Sequence, residues 1–553
     1  MKTKKQFLLI LCVLFLALAT SCMIFANTIR KASGTVEIID GEIDRGDGLL
    51  MYKLYKPVEA SSSNKAPAVL LLHGYQNDHE TCAAYAIELA RRGAVVLCLD
   101  EYGHGASTLG LINRGYVNHV VKVNYGEDSV EDGTFKVIGG SKRYRVLMNF
   151  SNLSFFKEYY SQDSDGNKII DSSCGGSLAY DYLSKLDYVD NKRMAVSGHS
   201  MGTWSSWTVG ADYAGTAIEP KAIVLQCGEL FTDAAYDKNA YKFNNVLLLQ
   251  AKYDEFSYFR DYKRIVDDNL LKSDLRTSFL NTTAENAKWN TTYGNFEDGS
   301  ARRMELLYTN HRLTTHHQGG LAVALDWFDK AIDLPKDLAP TTSIAMLKEY
   351  LVLAAMLLVL ASLFPLLFLL MDTSFFGSMK QELPPIEDKV SFKGWWKGAM
   401  ITILLSGATF PFMTQLGHAL LPLPEHIFRM TIGNGFLGWY LTLIIIMIIT
   451  SFITRKNNKK NGIANEKFDF IVFIKALLLA FIAVGYMYVV NYIFYLLFDL
   501  DLRFIWPFFR PFNFERLVQF FVYLPIFALF YVLNNCKIMR DLRVKATYEK
   551  GIF

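Results

Sequence analysis

The chain has 553 residues, 51% of them hydrophobic and 20% charged, with 57 Lys and Arg against 54 Asp and Glu. So apolar a composition excludes a disordered, collagen-like or wholly soluble chain, and the near-balance of charge leaves no footprint for nucleic acid. Seven cysteines (Cys12, Cys22, Cys82, Cys98, Cys174, Cys227 and Cys536) show no CxxC and no metal-ligand spacing, so no metal site is expected.

In chain order, residues 1–28 carry the first long apolar run, roughly 7–28, after Lys2, Lys4 and Lys5. The run exceeds a signal-peptide core, which points to an uncleaved anchor, while Ala19-Thr20-Ser21-Cys22 leaves cleavage open. Residues 35–333 alternate strand-like and helix-like stretches, the pattern of a mostly parallel α/β sheet. Strands are expected at 66–73, 94–100, 193–198, 222–226 and 245–250, and helices at 80–92, 177–186, from 201, and at 321–332. Strands this apolar suit a sheet covered on both faces. Residues 107–172 form a long insertion with Tyr116, Phe135 and Phe156 among its aromatics, read either as a lid or as a packed accessory piece.

Residues 346–553 form an all-α membrane domain. A spanning helix needs about 20 apolar residues, and five segments qualify: about 350–371, 398–421, 433–454, 472–498 and 517–536. With the N-terminus inside, the inner short loops hold seventeen Lys and Arg and the outer ones four. This bias places 28–349 outside the cytoplasm and the C-terminus inside, in a multi-pass cell-membrane protein. His418, Gln415 and Asn491 lie within spans and read as helix–helix hydrogen bonding or as ordinary tolerance of a polar group. The aromatic segment 504–514 fits an interfacial belt. Five spans exceed what anchoring needs, so a protein partner through this domain stays open.

The sharpest motif is Gly198-His199-Ser200-Met201-Gly202, after a strand and at the start of a helix. That context suits a nucleophile elbow: the serine sits on a strained turn, small neighbours allow close backbone passage, and the helix start offers N–H groups to an oxyanion. Leu72-His73-Gly74-Tyr75 and Asp100-Glu101-Tyr102-Gly103-His104-Gly105-Ala106-Ser107 accompany it.

Together these motifs resemble the α/β-hydrolase superfamily, in its serine esterase, lipase and peptidase-like branch, over about residues 35–333. The resemblance implies Ser200 as nucleophile, Asp254 as acid (Glu229 the fallback) and a histidine before the last helix. His311, 17 residues before Phe328 of the Trp327-Phe328 pair, is the candidate base, with His316 and His317 as alternatives. Backbone N–H groups of Tyr75 and Met201 would form the oxyanion hole, with no cofactor. The implied function is a membrane-anchored serine hydrolase cleaving an ester: an acyl lipid, an acylated envelope component or a small ester. A peptidase of the same fold, or a transport or assembly protein with a non-catalytic hydrolase domain, are the rival readings.

Overall fold

The computed structural model describes residues 2–46, 48–109, 161–162, 168–169, 171, 173–228, 243–255, 270–380, 392–393, 396–397, 399–400, 403–404, 406–410, 427–460, 469–503 and 514–535. Helix α1 (Lys2–Arg30) leads into the antiparallel pair β1 (Val36–Asp44) and β2 (Leu49–Pro57). Then follow β3 (Ala66–Leu72), α2 (Ala83–Arg91) and β4 (Val95–Leu99). A short pair, β5 (Ser161–Gln162) and β6 (Lys168–Ile169), precedes α3 (Gly176–Ser184). The chain continues through β7 (Val189–His199), α4 (Met201–Tyr213), β8 (Ala222–Gln226), β9 (Val246–Tyr253), α5 (Asp274–Leu280), β10 (Thr291–Tyr293), β11 (Arg302–Asn310) and α6 (Gln318–Ile332).

Nine strands form one sheet in the order β1-β2-β4-β3-β7-β8-β9-β11-β10. From β4 across to β11 every neighbouring pair is parallel, while β1–β2, β2–β4 and β10–β11 pair antiparallel. This order is that of the α/β-hydrolase fold. The all-apolar strands have their explanation in two packed faces. Along β3, Leu70 and Leu72 join a core with α3 and α4, and Val69 and Leu71 join one with α2 and α6. Alternate residues of a strand point to opposite faces, so both sets must be apolar.

The expected strands and helices are present with shifted ends. The helix expected from residue 80 begins at Ala83, because Asp78 caps a preceding 3-10 turn, His79–Cys82, by accepting from the Glu80 N–H at 3.1 Å. Four strands of this sheet, β1, β2, β10 and β11, went unpredicted, as did the short pair β5 and β6. Two of them, β1 and β10, pair on one side only and mix polar with apolar residues, which blurs the pattern.

Among the described residues, five helices are long and apolar enough to cross a membrane: Thr3–Arg30, Ala345–Met371, Gly433–Phe452, Phe470–Phe498 and Arg516–Asn534. The last four lie in α7 (Ala345–Met371), α8 (Thr431–Lys460), α9 (Phe470–Phe498) and α10 (Phe514–Asn534). Most of the span expected at 398–421, with Gln415 and His418, falls outside the described residues, as do most of the insertion, Glu229 and nearly all of 504–514. Small and apolar residues of α1 (Ala19, Met23, Ala26) pack on Val352 and Ala355 of α7 and Met487 and Val490 of α9. Asn491 bonds the loop that follows its helix: its Oδ1 accepts from the Leu502 N–H at 2.7 Å.

Candidate active site

Ser200 stands at the seam between β7 and α4, with φ 54° and ψ −113°. A non-glycine residue in that left-handed region costs on the order of 1 kcal/mol or more, so its surroundings must hold it there. They do. The Ser200 N–H donates to the Gln226 carbonyl at 3.0 Å, and the Ser200 carbonyl accepts from the Thr203 N–H at 3.0 Å. The flanking glycines are steric necessities. A Cβ on Gly198 would lie 1.9 Å from the Gly202 carbonyl oxygen, and one on Gly202 2.4 Å from the Leu72 carbonyl oxygen.

The end of β3 meets this turn. A Cβ on Gly74 would sit 2.8 Å from His199 Nδ1 and 3.1 Å from Ser200 Cβ. Gly74 therefore lets the chain leaving β3 pass beside the serine, while Met201 opens the adjoining helix with its positive dipole end. His73 is fully buried; its Nδ1–H donates to the Gly74 carbonyl at 2.8 Å and its Nε2 accepts from the Glu101 N–H at 3.1 Å. Burial lowers its pKa, keeping it a neutral strut.

The 100–107 loop is wound around Asp100. That carboxylate accepts from the His79 N–H at 2.9 Å, His79 Nδ1 at 2.8 Å and the Ala106 N–H at 2.7 Å. A Cβ on Gly105, whose φ is 56°, would collide with the same carboxylate. Ser107 Oγ donates to the Asp100 carbonyl at 2.6 Å, and Ser205 Oγ of α4 donates to Glu101, tying this loop to the elbow helix.

Asp254 and His311 come together from the ends of β9 and β11, adjacent parallel strands. His311 Nδ1 lies 3.0 Å from Asp254 Oδ1, and both residues are buried. Gln250 Nε2 donates to the other carboxylate oxygen at 3.3 Å, and Glu255 accepts from the His311 N–H at 3.2 Å. His199 joins this pair to the elbow: its Nε2 lies 2.9 Å from the His311 carbonyl, and the two rings stand 5.0 Å apart.

The other two histidines are placed otherwise. His316 Nδ1 bonds Thr315 Oγ1 at 2.7 Å, and burial lowers its pKa. His317 caps α6, its Nδ1 accepting from the Gly320 N–H at 3.0 Å.

Three contributors escaped the sequence reading. His199 stands at a position the motif leaves variable, and Gln250 is hidden inside an apolar strand. Cys227 follows β8; its Sγ lies 2.9 Å from Thr314 Oγ1. With Asp254 and His311 it forms a buried group whose ligand atoms lie within 4.8 Å of one another and that could hold a metal ion. No sequence spacing signals that group, because its members sit on three strand ends far apart in the chain.

No protein-family model matches the chain, and no curated protein does. Among solved structures, the chain is similar to a dienelactone hydrolase-like promiscuous phosphotriesterase from metagenomic libraries, at 13% identity and a TM-score of 0.32, covering 54% of this chain and 99% of that one. It is similar to a predicted CIB-like hydrolase from Thermoplasma acidophilum at 12% identity and a TM-score of 0.30, covering 53% and 98%. A putative dipeptidyl aminopeptidase IV from Bacteroides ovatus is similar at 14% identity and a TM-score of 0.29, covering 54% of this chain and 36% of that one.

Proposed function

We propose that the chain is a membrane-anchored serine hydrolase that cleaves esters through an acyl-enzyme on the extracytoplasmic side. The observation that carries this reading is the strained Ser200 at a helix start, with the main chain of His311, the partner of Asp254, bonded to the adjoining His199. In this reading His311 Nε2 takes the Ser200 proton as Oγ attacks the ester carbonyl. Asp254 holds the imidazole with its proton on Nδ1 and supports the imidazolium that forms. The Tyr75 and Met201 N–H groups receive the oxyanion; each donor of this kind is worth about 3 kcal/mol. His311 then returns the proton to the leaving alcohol, and water attacks the acyl-enzyme by the same route.

The substrate class that fits is an ester of an acyl lipid, an acylated envelope component or a small molecule. Support for the membrane setting comes from five apolar helices, and for the outward site from the excess of Lys and Arg in the other set of loops. The test is full-length protein assayed on p-nitrophenyl esters and on aminoacyl and dipeptidyl anilides, beside Ser200→Ala. Ester turnover lost in the variant is the expected result. Anilide turnover alone would make it a peptidase. No turnover of either, with Ser200→Ala keeping biological function, would favour transport or assembly.

A further inference from the structure

Several buried charges of the α/β part meet residues from the apolar helices and their connections. Arg30, at the end of α1, donates to the Asp499 carbonyl at 2.6 Å and pairs with the Asp499 carboxylate at 3.0 Å. Lys53 of β2 pairs with Asp499 at 2.5 Å and Asp40 at 3.0 Å. Lys348 of α7 pairs with Glu349 at 2.8 Å and Glu80 at 3.4 Å. Arg503, beyond the end of α9, donates from Nη1 to Asp78 and from Nε to Asp501 at 2.7 Å. A small cavity lined by Asn77, Asp78, Glu80, Lys348 and Arg503 lies among them.

The place of Asp78 gives one of these pairs a functional bearing. It stands three residues after Tyr75, in the turn that leaves β3 beside Ser200. That turn is costly to hold: Gln76 has φ 62°, a left-handed conformation for a side chain with no glycine freedom. Main-chain bonds within it include Asn77 N–H to the Gly74 carbonyl at 3.2 Å and Thr81 N–H to the Asp78 carbonyl at 3.0 Å. Asp78 is 5% exposed and spends Oδ1 on capping the next turn. Its other oxygen meets Arg503. A buried carboxylate that loses a cation partner is drawn toward water and strains the turn with it. Arg516, at the start of α10, donates to the Gly105 carbonyl, so the neighbouring 100–107 loop is held from the same side.

We propose that Arg503 is a positioning residue for the active site: through Asp78 it fixes the turn carrying the Tyr75 oxyanion donor, making the membrane-embedded part of the chain a working part of the catalytic centre. This rests on the serine-hydrolase reading above. Arg503 touches no reacting atom; it acts through the placement of a backbone N–H, and a displacement of about 1 Å there costs on the order of a hundredfold in rate.

The test uses full-length protein in detergent micelles, with Arg503→Gln, Arg503→Lys, Asp78→Asn and the Arg503→Gln/Asp78→Asn double variant. The readouts are kcat and KM on a p-nitrophenyl ester, and the rate and endpoint of fluorophosphonate labelling. Expected for Arg503→Gln and Asp78→Asn is a fall in kcat and labelling rate of about ten- to a hundredfold, with KM and labelling endpoint nearly unchanged. The double variant should be no worse than the poorer single, and Arg503→Lys should recover most of the rate. A role in folding alone would lower the endpoint and leave the kcat of the labelled fraction intact, overturning the proposal. So would a kcat within about twofold of wild type, or effects of the two substitutions that simply multiply. If wild type shows no Ser200-dependent turnover, the serine-hydrolase reading itself has failed, a result distinct from all of these.

Discussion

His199 Nε2 lies 2.9 Å from the carbonyl oxygen of His311, so the residue before the candidate nucleophile holds the main chain of the candidate base. With its Nε2–H as donor, this bond fixes the loop after β11 to the elbow after β7, across two intervening strands. We expect His199→Ala to lower kcat by about tenfold with a smaller change in KM, because it loosens His311 without removing it. His199→Gln, which keeps a donor near the same place, should recover part of the loss.

The three histidines before α6 should separate cleanly. His311→Ala should lower ester turnover by at least about a thousandfold, as loss of a triad base does. His317→Ala should keep turnover but weaken the fold by about 1 kcal/mol, since its Nδ1 caps α6 at the Gly320 N–H. Urea titration of both single variants beside kinetics separates the two effects.

The elbow glycines make a steric prediction. Gly202→Ala brings a Cβ to 2.4 Å from the Leu72 carbonyl oxygen, and the obstacle is backbone that cannot swing away. Overpacking of this kind costs about 1–3 kcal/mol, and displacement of the elbow should abolish labelling of Ser200 even in the folded fraction. Gly215→Ala is the control for added side-chain bulk: nothing lies within 4 Å of its Cβ, though its φ of 70° adds local strain.

Stability should depend on pH through His79. Burial works against its charge, but the Asp100 carboxylate holds its pKa up at about 9, above the ordinary 6.5. A group raised in this way lends its full stability below about pH 6.5 and loses it as pH climbs through 9. Thermal melting from pH 6 to pH 10 should therefore fall more steeply for wild type than for His79→Gln. Parallel slopes would contradict the assignment.

Arg30 bears on the first segment. Its guanidinium is 1% exposed and bonded to Asp499 and to the Phe498 carbonyl at 2.7 Å. Removing one partner of a buried pair costs about 3–5 kcal/mol, so Arg30→Ala should lower the melting temperature markedly. Intact mass of the purified protein should include residues before Ala19, as an anchor requires and a cleaved signal does not.

Much of the architecture was legible because both faces of the parallel strands are covered, which writes β3 and β4, and the central parts of β7, β8 and β9, as apolar runs. Gly198 to Gly202 was legible because the turn tolerates so few residues. The edge strands β1 and β10 leave weaker traces, since one side of each lacks a partner strand. The choice among His311, His316 and His317 could not be read from spacing. It depends on β11 ending at Asn310 beside β9, a parallel pairing between segments some 50 residues apart. The Arg503–Asp78 pair was equally hidden, because its members are separated by 425 residues.

The most direct measurement is labelling of intact cells with a membrane-impermeant fluorophosphonate, using wild type, Ser200→Ala and His311→Ala. Labelling of wild type and of neither variant is the expected result. Labelling that appears only after lysis would contradict the outward site, and labelling that survives Ser200→Ala would contradict the nucleophile.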